Sequence, residues 1–231
     1  MSHVLQKELD RLKRMILSLS AVVEEAVSRS VRAVERRDAQ AARQIVEDDR
    51  AIDLTEVEIE EECLKVMALH QPVASDLRFI AAALKINGDL ERIGDLAVNI
   101  AERALVLASR EPVKTPIELA LMADKVKAML RQSLDALVNM DDSLARHVCA
   151  LDDEIDDLNR RNFARVQEEI PKNLPQIDSL MQFLSISRYL ERIADHSSNI
   201  AEDVVYLIEG SIIRHRGCES PESSSRPPES S

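Results

Sequence analysis

The sequence predicts an all-α protein built as a tandem duplication of a three-helix bundle, with six long helices. Three observations carry this reading. Ala, Leu, Glu and Arg are abundant, while the 231 residues include only four Gly, three Phe, two Tyr and no Trp, so the aromatic runs that mark strands are nearly missing. Apolar residues recur in steps of three and four, the period of a helix with one buried face. Finally, the phrase DLERIGDLAVNIAER, Asp89 to Arg103, returns one hundred residues later as YLERIADHSSNIAED, Tyr189 to Asp203.

Leu5, Leu9, Leu12, Ile16, Leu19, Val23 and Ala26 form the first apolar stripe and predict a helix from about Val4 to Arg37. Asp38 is the expected N-cap of a second helix reaching about Leu69. HQPVAS then breaks the pattern, and a third helix is expected from near Ser75 to about Ser109. EPVKTPIEL marks the boundary between the copies; Thr115, Pro116 and Glu118 read as N-cap, first-turn proline and capping-box acid of a fourth helix over Pro116 to Met140. A fifth helix is expected to start on Asp141 or Asp142, and PKNLP separates it from a sixth that ends at Gly210. This divides the chain into repeats at 1–111 and 112–209. The remainder, 210–231, is a Ser/Pro-rich tail with too little apolar surface to order itself.

The copies agree in core and polar positions alike. A shift of one hundred superposes Leu90, Glu91, Ile93, Asp95, Asn99 and Glu102 on Leu190, Glu191, Ile193, Asp195, Asn199 and Glu202. A shift of 103 superposes DRAID, Asp49 to Asp53, on DDEID, Asp152 to Asp156.

Composition also excludes functions. A net charge of −12 with few aromatics argues against nucleic acid as a partner, since phosphate backbones demand clustered Lys and Arg. No run reaches the roughly 18 apolar residues of a membrane span, and the first residues carry charge in place of a signal core. Cys63, Cys149 and Cys218 are too far apart for a zinc knuckle or a disulfide framework, which suits a reducing cytoplasm. No Gly-rich phosphate loop and no Ser-His-Asp or Cys-His grouping stands out, and the residues alone leave a metal-dependent enzyme or metal-storage bundle open beside a non-catalytic one. Nor does any Glu have a His three residues on, the ligand pattern of di-iron bundles.

The acidic rows are the candidate site. At about 100° per residue Glu91, Asp95, Asn99 and Glu102 fall within roughly 80° of one another, and the same azimuth is apolar earlier in the helix, at Leu77, Ile80 and Leu84. Asp49, Asp53, Glu56 and Glu60 form a second row, expected to be flanked by Ile45, Ile52, Val57, Cys63 and Leu64. Carboxylates gathered at a helix boundary repel one another and lose hydration, so they need protons, basic partners or cations. A divalent or trivalent cation with a taste for hard oxygen, such as iron(III), manganese, magnesium or calcium, meets that need. Salt bridges to Arg50, Arg92 or Arg103 meet it as well, and the duplication repeats either arrangement. His196, beside Asp195, reads as a polar surface histidine.

The phrases ERIGDLAVNIAE and ERIADHSSNIAE, the QPVASDLR turn and the DRAID segment resemble the PhoU family over about residues 5 to 209. The resemblance implies a cytoplasmic, non-catalytic negative regulator of the phosphate-starvation response. Its implied partners are the ATPase subunit of a phosphate ABC transporter, a sensor histidine kinase and a second copy in a homodimer. It also implies metal ions, in multinuclear clusters of iron, zinc, nickel, manganese or magnesium, held by motifs that match Glu91 and Asp95, Glu191 and Asp195, with Asp49 and Asp53, Asp152 and Asp156 facing them. Asp203 replaces the Arg103 of the first copy, so the second site is expected to be the more negative and the tighter.

Overall fold

In the computed structural model, which describes residues 3–210, these residues form six α-helices joined by short turns. They are α1 (His3–Arg36), α2 (Ala39–His70), α3 (Ala74–Ala108), α4 (Leu119–Asn139), α5 (Asp142–Glu169) and α6 (Ile177–Glu209). The tail expected beyond Gly210 lies outside the described residues.

Local chemistry explains most of the ends. Asp38 accepts hydrogen bonds from the backbone N–H groups of Gln40 and Ala41, and Asp141 accepts one from Leu144, so both satisfy donors that a helix leaves open at its start. Gly210 closes α6 in the left-handed conformation, with φ of 74°. The other left-handed corners fall on Arg37, Gln71, Ala74 and Met140, none of them glycine. Arg37 is also tied down by its guanidinium, which donates to the carbonyls of Leu107 and Arg110. Between α5 and α6, Ile170–Lys172 and Leu174–Gln176 wind as 3-10 turns around the two prolines.

The start of α4 departs from expectation. The helix begins at Leu119, and its N-cap Glu118 makes no side-chain cap bond; the proposed Thr115 capping box does not form. Instead the Glu118 N–H donates to Oδ1 of Asn162, a fully buried residue of α5 whose amide also donates to Ser187 of α6. A tertiary partner has taken over the work of a local one.

Packing follows the stripes. Leu12, Ile16, Leu19, Val23 and Val27 turn α1 towards α2 and α3, and each fully buried aliphatic side chain contributes about 1.5–3 kcal/mol by leaving water. Helices α4, α5 and α6 pack together in the same way, and the two bundles join along α3 and α6, with α1 also touching α4. The seam is partly polar: Lys85 meets the buried Asp203, and His196 meets Asp89. Two expected apolar neighbours of the acids sit elsewhere, since Val57 and Leu64 are about half exposed on the outside of α2. Leu77 and Ile177, near the starts of α3 and α6, are also partly exposed, at 44% and 38%.

Candidate metal centre

Each pair of facing helices brings its two acidic rows together, so the eight sequence candidates sort into two groups of four. In the first, burial and then the charges of Asp53 and Asp95 push the Asp49 carboxyl up to about 6, which couples α2 to α3. Burial, then Asp95, with Asp53 and Glu56 behind it, likewise raises Glu91 against the opposing pull of Arg92. Gly94 lets the two helices approach: a Cβ there would lie 3.2 Å from Ile52 and 3.6 Å from an Asp49 carboxylate oxygen. Arg92 sits over this group, 3.4 Å from both Glu91 and Asp95.

The second group is tighter. Asp156, Glu191 and Asp195 each offer an oxygen within 4.8 Å of the others. Burial and then Asp195 raise Asp152 to about 6, and burial followed by neighbouring carboxylates also raises Glu191 and Asp195. Among the described residues no Lys or Arg lies within ion-pair distance of these four acids, and their repulsion is opposed only from further off, by Arg188 at Glu191 and by His196 and Arg192 at Asp195, and by the Ser198 hydrogen bond at Asp152.

Both groups suit a hard cation in donor type. Oxygens sharing one ion at 2.0–2.4 Å stand no further apart than about 4–4.8 Å, the spread found for Asp156, Glu191 and Asp195. With carboxylates alone and no thiolate or imidazole in the set, magnesium, manganese, calcium and ferric iron fit better than softer ions.

Two neighbours behave differently from expectation. Asp203 turns away from the second group, is 2% exposed and pairs with Lys85 at 3.0 Å, so it adds no charge to the acids. His196 is half-buried, with Nδ1 2.8 Å from Oδ1 of Asp89, and bridges the two repeats where a surface histidine was expected. A cross-repeat pair of this kind has no signature in local spacing, because its partners stand 107 residues apart.

The model of the PhoU domain matches this chain twice, over 16–104 and over 119–204. The chain belongs to the PhoU family. A relative from Aquifex aeolicus, named phosphate-specific transport system accessory protein PhoU homolog, is 37% identical over 210 residues, covering 91% of this chain and 95% of the relative. The crystal structure of PhoU from Pseudomonas aeruginosa superposes with a TM-score of 0.86 at 34% identity, over 89% of this chain and 99% of that one. The crystal structure of the phosphate transport system regulatory protein PhoU from Streptococcus pneumoniae gives a TM-score of 0.80 at 32% identity, over 90% and 98%. Tandem three-helix bundles are thus the PhoU architecture, and the acids lie within the two matched segments. Among the described residues no helix is long and apolar enough to cross a membrane.

Proposed function

We propose that this PhoU-family chain is a cytoplasmic, non-catalytic adaptor that restrains phosphate uptake and the phosphate-starvation response. In this reading it binds the ATPase subunit of a phosphate ABC transporter and a sensor histidine kinase, and holds the kinase in its signal-off state while phosphate is plentiful. Family membership over both repeats supports the transport link, as do relatives named accessory proteins of the phosphate-specific transport system. Such an adaptor works by binding one state of its partners more tightly than the other.

The observation that carries the reading at the level of chemistry is the pair of repeat-equivalent acid clusters, Asp49, Asp53, Glu91 and Asp95, and Asp152, Asp156, Glu191 and Asp195. These residues would hold divalent or trivalent metal ions, multinuclear where several carboxylates bridge. A bound ion would supply positive charge that offsets the repulsion, and would either present that charge to an acidic partner or stiffen the contacts of α2 with α3 and α5 with α6.

The test uses a bacterial host lacking its own PhoU and carrying a phosphate-starvation reporter. Wild-type protein should restore repression in high phosphate, and a variant with Glu91, Asp95, Glu191 and Asp195 all changed to Ala should leave the reporter on while remaining folded. Repression by that variant would make the clusters dispensable, and failure of wild type to repress would remove the regulator reading itself. Oxygen uptake after ferrous iron is added would instead favour a redox or storage bundle.

A further inference from the structure

Beside the acid cluster of the first repeat, α1 and α2 border a groove of about 720 Å³, lined also by Gly94 and Val98 of α3. Its walls are apolar and partly in the open: Val22 is 50% exposed and Leu54 56%. The second repeat shows that the fold does not require this opening. The register between the copies is fixed at a shift of 103 by Ser30 and Ser133, both buried and each donating to the carbonyl three residues earlier. At the equivalent place between α4 and α5 only about 210 Å³ remains. Three replacements account for the difference. Met129 is buried where the first repeat has Ala26, and Lys125 bonds Glu154 at 2.6 Å across the gap where the first repeat has Val22 and Ala51.

We propose that the groove between α1 and α2 is a docking site for an amphipathic helix of a partner protein, apolar on the face it inserts and basic along its flanks. Length argues for a helix: the stretch from Ile45 to Leu54 spans about 14 Å, room for anchors at i, i+4 and i+7. Charge argues for basic flanks: of the groove's border, Asp48 pairs with Arg29 and Glu25 with Arg32, each at 2.7 Å, which leaves Glu47 and Asp49 against Arg50, a small negative excess.

The other occupants fit less well. A second copy would bring a chain of net charge −12 against a rim of the same sign. The chain's own C-terminal segment starts from Gly210, which lies against Arg78 near the beginning of α3, about 24 Å along the helix from Gly94. Ile212 and Ile213, the large aliphatic residues of that segment, follow Gly210 by two and three positions in sequence, and three residues of chain span at most about 11 Å. Residues beyond Arg216 that have the reach carry no large aliphatic or aromatic side chain. The proposal is independent of the phosphate reading, since it rests on the contrast between the two repeats.

The test is fluorescence anisotropy with a labelled amphipathic peptide of about 16 residues, Leu on one face and Lys on the other, beside a scrambled peptide of the same composition. Two variants close the groove with side chains the second repeat already accommodates: Ala26→Met, and Val22→Lys with Ala51→Glu, which leaves the net charge unchanged. Saturable binding to wild type is expected, at least about tenfold weaker to both variants and for the scrambled peptide. Circular dichroism and the unfolding midpoint of the variants should match wild type. Equal affinity for wild type and variants, or no saturable binding, overturns the proposal. A wild-type dimer in sedimentation that both variants dissolve also overturns it, by placing a second copy in the groove.

Discussion

Lys85 of α3 donates to the carboxylate of Asp203 in α6 at 3.0 Å, and the same ammonium lies 5.1 Å from the centre of the Tyr206 ring. The carboxylate is 2% exposed while the lysine side chain is 40% exposed, so the acid is the member that depends on its partner. Lys85→Met should therefore cost about 2–3 kcal/mol, seen as a lower urea midpoint. Adding Asp203→Leu should recover much of that loss, because replacing both members removes the need for the pair. An unchanged midpoint for Lys85→Met would show that the seam does not rely on it.

Asn162 joins three elements at once, accepting from the Glu118 N–H and donating to Ser187, whose hydroxyl donates in turn to Asn159. Asn162→Ala should lower stability by about 2–4 kcal/mol, combining a cavity with buried groups left open. Hydrogen exchange should locate the loss at the first turn of α4, and uniform loosening across all six helices would argue against this role.

Stability of the metal-free protein should fall as pH rises. Asp49 and Asp152 are raised to about 6 from an ordinary 3.8, so the folded state holds protons that the unfolded chain releases. Stability is then fully present below about pH 4 for these two groups and is lost as pH climbs through 6. Glu91, Glu191 and Asp195 shift in the same direction. Thermal melts in chelator at pH 5 and pH 7 should give the lower midpoint at pH 7, and a saturating cation should narrow or reverse the gap. A higher midpoint at pH 7 without metal would contradict the shifts.

Asp195→Asn should separate repulsion from ligation. Losing a charge from the cluster with Asp156 and Glu191 should raise the metal-free melting temperature while weakening cation binding by at least about tenfold. Calorimetric titration with manganese gives the second number. Equal affinity in wild type and variant would remove Asp195 from the ligand set.

The second cluster should also fill before the first. Three of its oxygens already lie within 4.8 Å, whereas Arg92 must leave Glu91 and Asp95 before an ion can take its place. Elemental analysis of protein loaded with one equivalent of metal, comparing variants that retain a single cluster, should show the higher occupancy where Glu191 and Asp195 are intact. Reversed occupancies would mean that Arg92 offers no resistance.

Helix existence was legible because long apolar stripes such as Leu5 to Val34 leave one solution for burial, and Asp38, Asp141 and Gly210 carry cap chemistry in a single residue. The start of α4 was misread because its donor is met by Asn162, forty-four residues away, and such a bond leaves no trace in local spacing. The acidic rows followed from helical phase and duplication, whereas their facing one another in two sets was implied by the family resemblance. Which face of α2 lies in water did not: Val57 and Leu64 look like core by type, yet among the described residues α2 packs chiefly against α1 and α3 and leaves them outside. Asp203 was assigned to the wrong neighbourhood for a related reason, since its azimuth differs from that of Glu202 by one residue step and that step points it at Lys85.

The left-handed corners at Gln71 and Met140 bear on engineering. A residue with a Cβ pays roughly 1–2 kcal/mol to sit there, and among the described residues neither side chain makes a hydrogen bond that would justify it, unlike Arg37 with its two carbonyl contacts. Met140 is 45% exposed as well. Glycine at Met140 would relax the turn and remove an oily spot from the surface, offering a route to a hardier scaffold that leaves both acid clusters, the seam and the groove untouched.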